Sequence, residues 1–155
     1  MRTKTIFILI ALTITTLIAC KKESQPTLTA ALAKSSWQKT SILISADSIA
    51  PDTIPTIAVS LADCKKDNIW SFNATNNTFT LDEGATKCNP GDAQIKDQGT
   101  ITELNNGSQL RVAGDGTNEL WEIESRSAAS FRVSYFARNA SNKMTKFRVV
   151  FSKVE

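Results

Sequence analysis

From Trp37 to the end of the chain, apolar residues recur at every second position in short runs, and no helical period survives beyond Lys34. Such alternation puts apolar side chains on one face of a strand and polar ones on the other. Trp37 to Ser45 reads as a first strand. Asn68 to Asn73 carries Trp70 and Phe72 on one face. Thr78 to Asp82 carries Phe79 and Leu81, after a turn at Ala74 to Asn77. Gly99 to Leu104 and Gln109 to Ala113 flank Asn105-Asn106-Gly107, a tight-hairpin signal. After the turn Gly114-Asp115-Gly116, Asn118 to Ser125 puts Trp121 and Ile123 on one face and its glutamates on the other. Ser130 to Arg138 alternates Phe131, Val133 and Tyr135 against Arg132 and Ser134. Asn139 to Lys143 turns, and Met144 to Val154 sets Phe147, Val149 and Phe151 against Lys146 and Arg148.

These are eight candidate strands at short spacing, joined late in the chain by hairpin-length turns, the signature of an antiparallel meander. One apolar face per strand suits a sheet that curls on itself, and closure into a barrel removes exposed edges. The expected fold class is therefore all-β: an eight-stranded antiparallel up-and-down barrel with a short N-terminal helix. The helix is one or two turns within Thr27 to Lys34, capped by Thr27 or Thr29. Two stretches interrupt the pattern. Ala46 to Thr56, with Pro51 and Pro55, reads as a long connector that Ile57 to Ala62 extends as a short strand or helix. Gly84 to Asp97 reads as an irregular loop.

The N-terminus has a different pattern. Arg2 and Lys4 precede an apolar run from Ile6 to Ala19, shorter than the roughly 20 residues that span a bilayer. A charged start, a short apolar middle and small residues at the end describe a secretory leader. Its closing Leu17-Ile18-Ala19-Cys20 resembles the lipobox of bacterial lipoproteins. That resemblance implies a signal peptide over 1–19, cleavage before Cys20, and acyl chains (palmitate among them) on Cys20. Residues 20–27 are then a lipidated polar tether, and 28–155 the barrel domain.

Composition narrows the chemistry. The chain has 18 basic and 15 acidic residues, a formal charge of +3. Loss of Arg2 and Lys4 with the leader brings it to about +1, too little surplus for a nucleic-acid footprint. There is no histidine. Ser-His-Asp and Cys-His catalysis are thereby excluded, as are the usual metal sites, and no enzyme, cofactor or metal site is expected. With Cys20 lipidated, Cys64 and Cys88 remain. In an exported domain an even pair reads as one disulfide, the alternative being two buried free thiols.

Across roughly 28 to 155 the chain resembles the lipocalin-like lipoproteins of Bacteroidota. The resemblance lies in a turn of helix leading into Ser35-Ser36-Trp37, in Asp63-Cys64-Lys65-Lys66-Asp67 ahead of Trp70-Ser71-Phe72, and in Glu83-Gly84-Ala85-Thr86-Lys87-Cys88. It implies a Cys64–Cys88 bridge near the barrel mouth, a tryptophan (Trp37) plugging the closed end, and Lys153 as the basic residue beside it. Ser35 departs from the family's Gly-x-Trp. Lys21-Lys22-Glu23 loosely resembles the export signal of surface lipoproteins in that phylum. The expected location is the outer membrane, periplasmic or surface-facing, with the membrane itself as a partner and the protein a monomer.

The inward aromatic set is Trp70, Phe72, Phe79, Trp121, Phe131, Tyr135, Phe147 and Phe151. Either these line a cavity for a small apolar or amphipathic ligand, or they fill the core and leave the loops to bind an envelope protein as an interaction or inhibitor module. Connector 46–62 is the candidate lid: the resemblance implies a largest loop between the first two strands, over the cavity mouth, and loops this long are usually functional or disordered. Ser48 in Asp47-Ser48-Ile49 and Thr53 in Asp52-Thr53-Ile54 resemble the O-glycosylation acceptors of Bacteroidota. Arg132, Arg138, Lys146 and Arg148 read as an outward charge row. Asp63, Asp67, Asp82 and Glu83 read as surface acids without calcium-loop spacing.

Overall fold

The computed structural model describes residues 26–45, 56–139 and 141–154. Helix α1 (Leu28–Leu32) is followed by β1 (Ser36–Ser45), β2 (Thr56–Val59), α2 (Asp63–Lys66) and β3 (Ile69–Asn73). Then come β4 (Thr78–Asp82), β5 (Ile95–Leu104), β6 (Gln109–Gly114), β7 (Asn118–Arg126), β8 (Ser130–Arg138) and β9 (Met144–Lys153). Every pairing is antiparallel between neighbours, and β1 also pairs with β9 over Trp37 to Ser45. That pairing closes the sheet into an eight-stranded up-and-down barrel, as the alternation requires.

The ninth strand, β2, comes from the long connector. On one flank β1 pairs with β3 at Ser36–Gln38 and with β2 at Ile42–Ser45. Lys39 to Ser41 fall between those two registers, and the β1–β9 ladder shifts there as well. The sequence also understates β5, which starts at Ile95, inside the stretch read as a loop. Asp63–Lys66, around Cys64, is a helical turn that periodicity did not signal.

Helix α1 is too short to persist alone. The Thr27 hydroxyl accepts from the Ala30 amide at 3.2 Å, and Leu28 and Leu32, four apart, are both buried. The Trp37 indole donates to the Leu32 carbonyl at 2.8 Å, and the Thr29 amide to Glu103 Oε2 at 3.1 Å. The helix therefore seals the end of the barrel where β1 begins. Trp37 is 3% exposed and meets Phe131 edge-on at 4.9 Å. Lys153 lies directly across from Trp37 in the β1–β9 register, where the family resemblance placed a basic residue.

At the other end lie the β4–β5, β6–β7 and β8–β9 connections and α2. Here Gly99 and Gly114 face each other across β5 and β6, so close that a Cβ on Gly99 would strike the Ala113 carbonyl. Only glycine permits that approach.

Candidate ligand pocket at the open end

The eight aromatic residues expected inside all point inward. Seven are buried, and Phe147 is partly buried against them. They form one continuous stack: Phe131–Phe151 at 4.5 Å, Trp121–Phe151 at 5.3 Å, Trp70–Phe79 and Trp70–Trp121 at 5.4 Å, and Tyr135–Phe147 at 5.4 Å between ring centroids. Offset and edge-on geometries of this kind are those aromatic pairs prefer. Around these rings the described residues pack side chain against side chain.

Above them a pocket of about 470 Å³ opens beside β2. Its walls include Ile42, Val59, Leu81 and Trp70, together with segment Ser60–Ala62, Lys65, Asn68 and Lys96. Of the predicted aromatic set, Trp70 alone lines it among the described residues. The Cys64–Cys88 disulfide, with Cα atoms 4.9 Å apart, staples α2 to the β4–β5 loop. In its satisfying amide orientation Asn68 donates to the carbonyls of Glu83 (3.0 Å) and Cys64 (3.1 Å). Asp67 accepts from the Thr86 amide at 2.7 Å, which holds its carboxyl below the ordinary aspartate range.

Glu83, expected on the surface, is fully buried and accepts from Lys96 Nζ at 2.7 Å. Asp82 accepts from the Gly84 amide and Gln94 Nε2, both at 2.7 Å. The acids near the bridge thus brace a loop. Among the described residues no group of His, Cys, Asp or Glu can hold a metal.

Two charged residues stand inside the barrel where the sequence reading placed none. Lys39, two residues beyond Trp37, points inward, its Nζ 4.9 Å from the Trp70 ring centre and 5.7 Å from that of Phe151. The ring faces attract the cation. Burial nevertheless depresses its pKa; Glu119 pulls it back up and Lys65 pushes it further down. Glu119 was assigned with the outward glutamates, but it shares parity with Trp121 and Ile123. It accepts from Trp121 Nε1 at 2.6 Å, and the Tyr135 hydroxyl faces the same carboxylate. Burial raises the Glu119 pKa against the lowering effects of Trp121 and Lys39. The period-2 rule applied strictly to both strands would have placed Lys39 and Glu119 inside.

Arg132 and Arg138 are exposed on β8, and Arg148 Nε donates to Glu124 Oε1 at 2.9 Å, consistent with the outward charge row. Cys20, Ser48 and Thr53 lie outside the described residues, as does most of the candidate lid.

No protein-family model matches the chain, and the search of curated proteins gave no match. Among solved structures, similarity is found to bovine odorant-binding protein. In complex with its natural ligand that protein is 14% identical, with 87% of this chain and 78% of that chain covered and a TM-score of 0.44. In complex with a selenium-containing odorant the values are 13%, 88%, 78% and 0.42. The undecanal complex is 13% identical at a TM-score of 0.44, with the same coverage as the natural-ligand complex. The fold is lipocalin-like. That statement stands on the barrel itself: eight antiparallel strands in sequence order, closed by β1–β9, with a short helix sealing one end.

Proposed function

We propose that this protein is a non-catalytic binding barrel, moored to the outer membrane through lipid on Cys20, that captures a small apolar or amphipathic molecule in its open-end pocket. The carrying observation is the pocket itself. Its volume of about 470 Å³ lies within the range of small-molecule sites, and its walls are mainly apolar. The missing histidine supports a role without catalysis. The lipobox supports the anchor, and the disulfide is consistent with an exported domain.

The test is fluorescence of N-phenyl-1-naphthylamine, an uncharged apolar dye, on titration with the protein. A saturable gain is expected; a flat response overturns the binding reading. Replacement of Cys20 by alanine is expected to release the protein from membranes, and retention would contradict the anchor. The filled aromatic stack favours a second reading, an interaction or inhibitor module that engages an envelope protein through its open-end loops. That reading gains if the dye response is flat.

A further inference from the structure

The pocket carries an asymmetry of charge that the binding reading leaves unused. Its charged lining among the described residues is Lys39, Lys65 and Lys96, and no described acid lines it. Lys96 is engaged by Glu83 at 2.7 Å and by Asp92 at 3.6 Å. Next to the pocket, Lys66 is engaged by Asp63 at 2.6 Å. Lys39 and Lys65 remain. Lys39 touches ring faces and donates no hydrogen bond to any described residue. Interior acids act on it: the Glu119 charge reaches Lys39, and the Asp97 charge reaches Glu119. Yet Glu119 already accepts from Trp121 and faces Tyr135.

Lys39 also sits where β1 has neither β2 nor β3 beside it, and it lines a second hollow together with Thr40, Val59, Ser60, Leu61 and Lys66. Lys39 thus borders both hollows beside β2. Two like charges at the rim of an apolar, low-dielectric pocket create a potential that attracts an anion. A carboxylate there would supply the acceptors that Lys39 lacks.

Resting on the binding reading above, we propose that the ligand is an amphiphile with a single carboxylate head, received between Lys39 and Lys65, its apolar body lying against Trp70, Ile42 and Leu81. The head would displace water at the rim. The body would cover apolar wall that the stack below leaves open.

The experiment compares dansylaminoundecanoic acid with its methyl ester on the full chain, read by energy transfer from tryptophan to dansyl. The acid is expected to bind at least about tenfold more tightly, the usual margin of a charge-assisted hydrogen bond over a neutral contact. Lys39→Gln should bring the acid to the level of the ester while the ester changes little. Lys65→Gln should remove part of the preference. Near-UV circular dichroism checks that each variant keeps its aromatic stack, and the wild-type comparison stands without any variant. Equal affinity for acid and ester sinks the carboxylate assignment alone. So does a preference for the acid that survives in Lys39→Gln/Lys65→Gln. Failure of both probes together with the naphthylamine dye sinks the binding reading as well.

Discussion

At the closed end, Trp37, Phe131 and Phe151 pack ring against ring under α1, and Lys153 lies across from the plug in the β1–β9 register. Toward the open end the inward positions include Lys39 and Glu119 beside apolar Ile42 and Leu81, and the wall is made of loop braced by a disulfide and buried Glu83. One end follows the rule that interiors are apolar and closely packed. The other breaks it with charges that are costly to bury. Such violations gather where a protein binds something, because affinity and stability make opposing demands on the same positions. The lower half of the barrel is packed scaffold, and the upper half holds the proposed site.

The sharpest way to break this comparison is to truncate one side chain in each half. Trp121 is wholly buried and contacts Trp70, Phe72, Tyr135 and Phe151. Trp121→Ala should lower the unfolding free energy by about 3–5 kcal/mol, measured by urea denaturation. Leu81→Ala, beside the pocket, should cost less, near the lower limit of about 2 kcal/mol for such truncations. Equal costs would mean that the two halves are packed alike.

Next in size is the staple. Reduction of Cys64–Cys88 should cost up to about 3.5 kcal/mol in the chain-entropy account. It should also weaken dye binding while leaving the tryptophan near-UV signal in place, because α2 and the β4–β5 loop form wall and not stack. Loss of that signal on reduction would show that the bridge supports the whole barrel.

A smaller effect is expected on the β5–β6 pair toward the open end. Gly99→Ala pushes a methyl group into the Ala113 carbonyl, where the β5–β6 backbone must give. Overpacking of this kind costs about 1–3 kcal/mol, readable as a lowered thermal midpoint. No loss would mean that the strands part more easily there than their register implies.

The scaffold was far more legible in the sequence than the site. Alternation in β3, β4, β7, β8 and β9 located the eight inward aromatic residues, because a slip of one residue would turn a tryptophan or phenylalanine into water. The Cys64–Cys88 pairing followed from the count of cysteines. The site was obscured by residue type. Lysine and glutamate are assigned to the surface by habit, so Lys39 and Glu119 were passed over although their parity placed them inside. Glu83 was hidden by its loop, since no period applies to an irregular segment. Strand β2 was hidden too: four residues in a proline-rich connector carry too little pattern to separate strand from helix.

The mildest test of the comparison needs no ligand. Burial holds the Lys39 pKa below the ordinary 10.5, so the unfolded chain binds that proton more tightly than the folded one. Between the depressed value and 10.5 the folded state gains stability as pH rises, and below the depressed value it carries the full penalty. Glu119 is shifted the other way. Its pKa is raised above the ordinary 4.5, so the folded chain binds its proton more tightly, and stability grows as pH falls through the raised value toward 4.5. Each penalty is full where its group is charged in the folded chain, and there the Lys39–Glu119 attraction offsets part of it. Unfolding by urea across the alkaline range should show wild type becoming more stable relative to Lys39→Met as pH approaches 10.5. A constant difference between the two would mean that Lys39 is as well solvated in the folded barrel as in the open chain. In that case the open end would carry no stored cost for a bound anion to relieve.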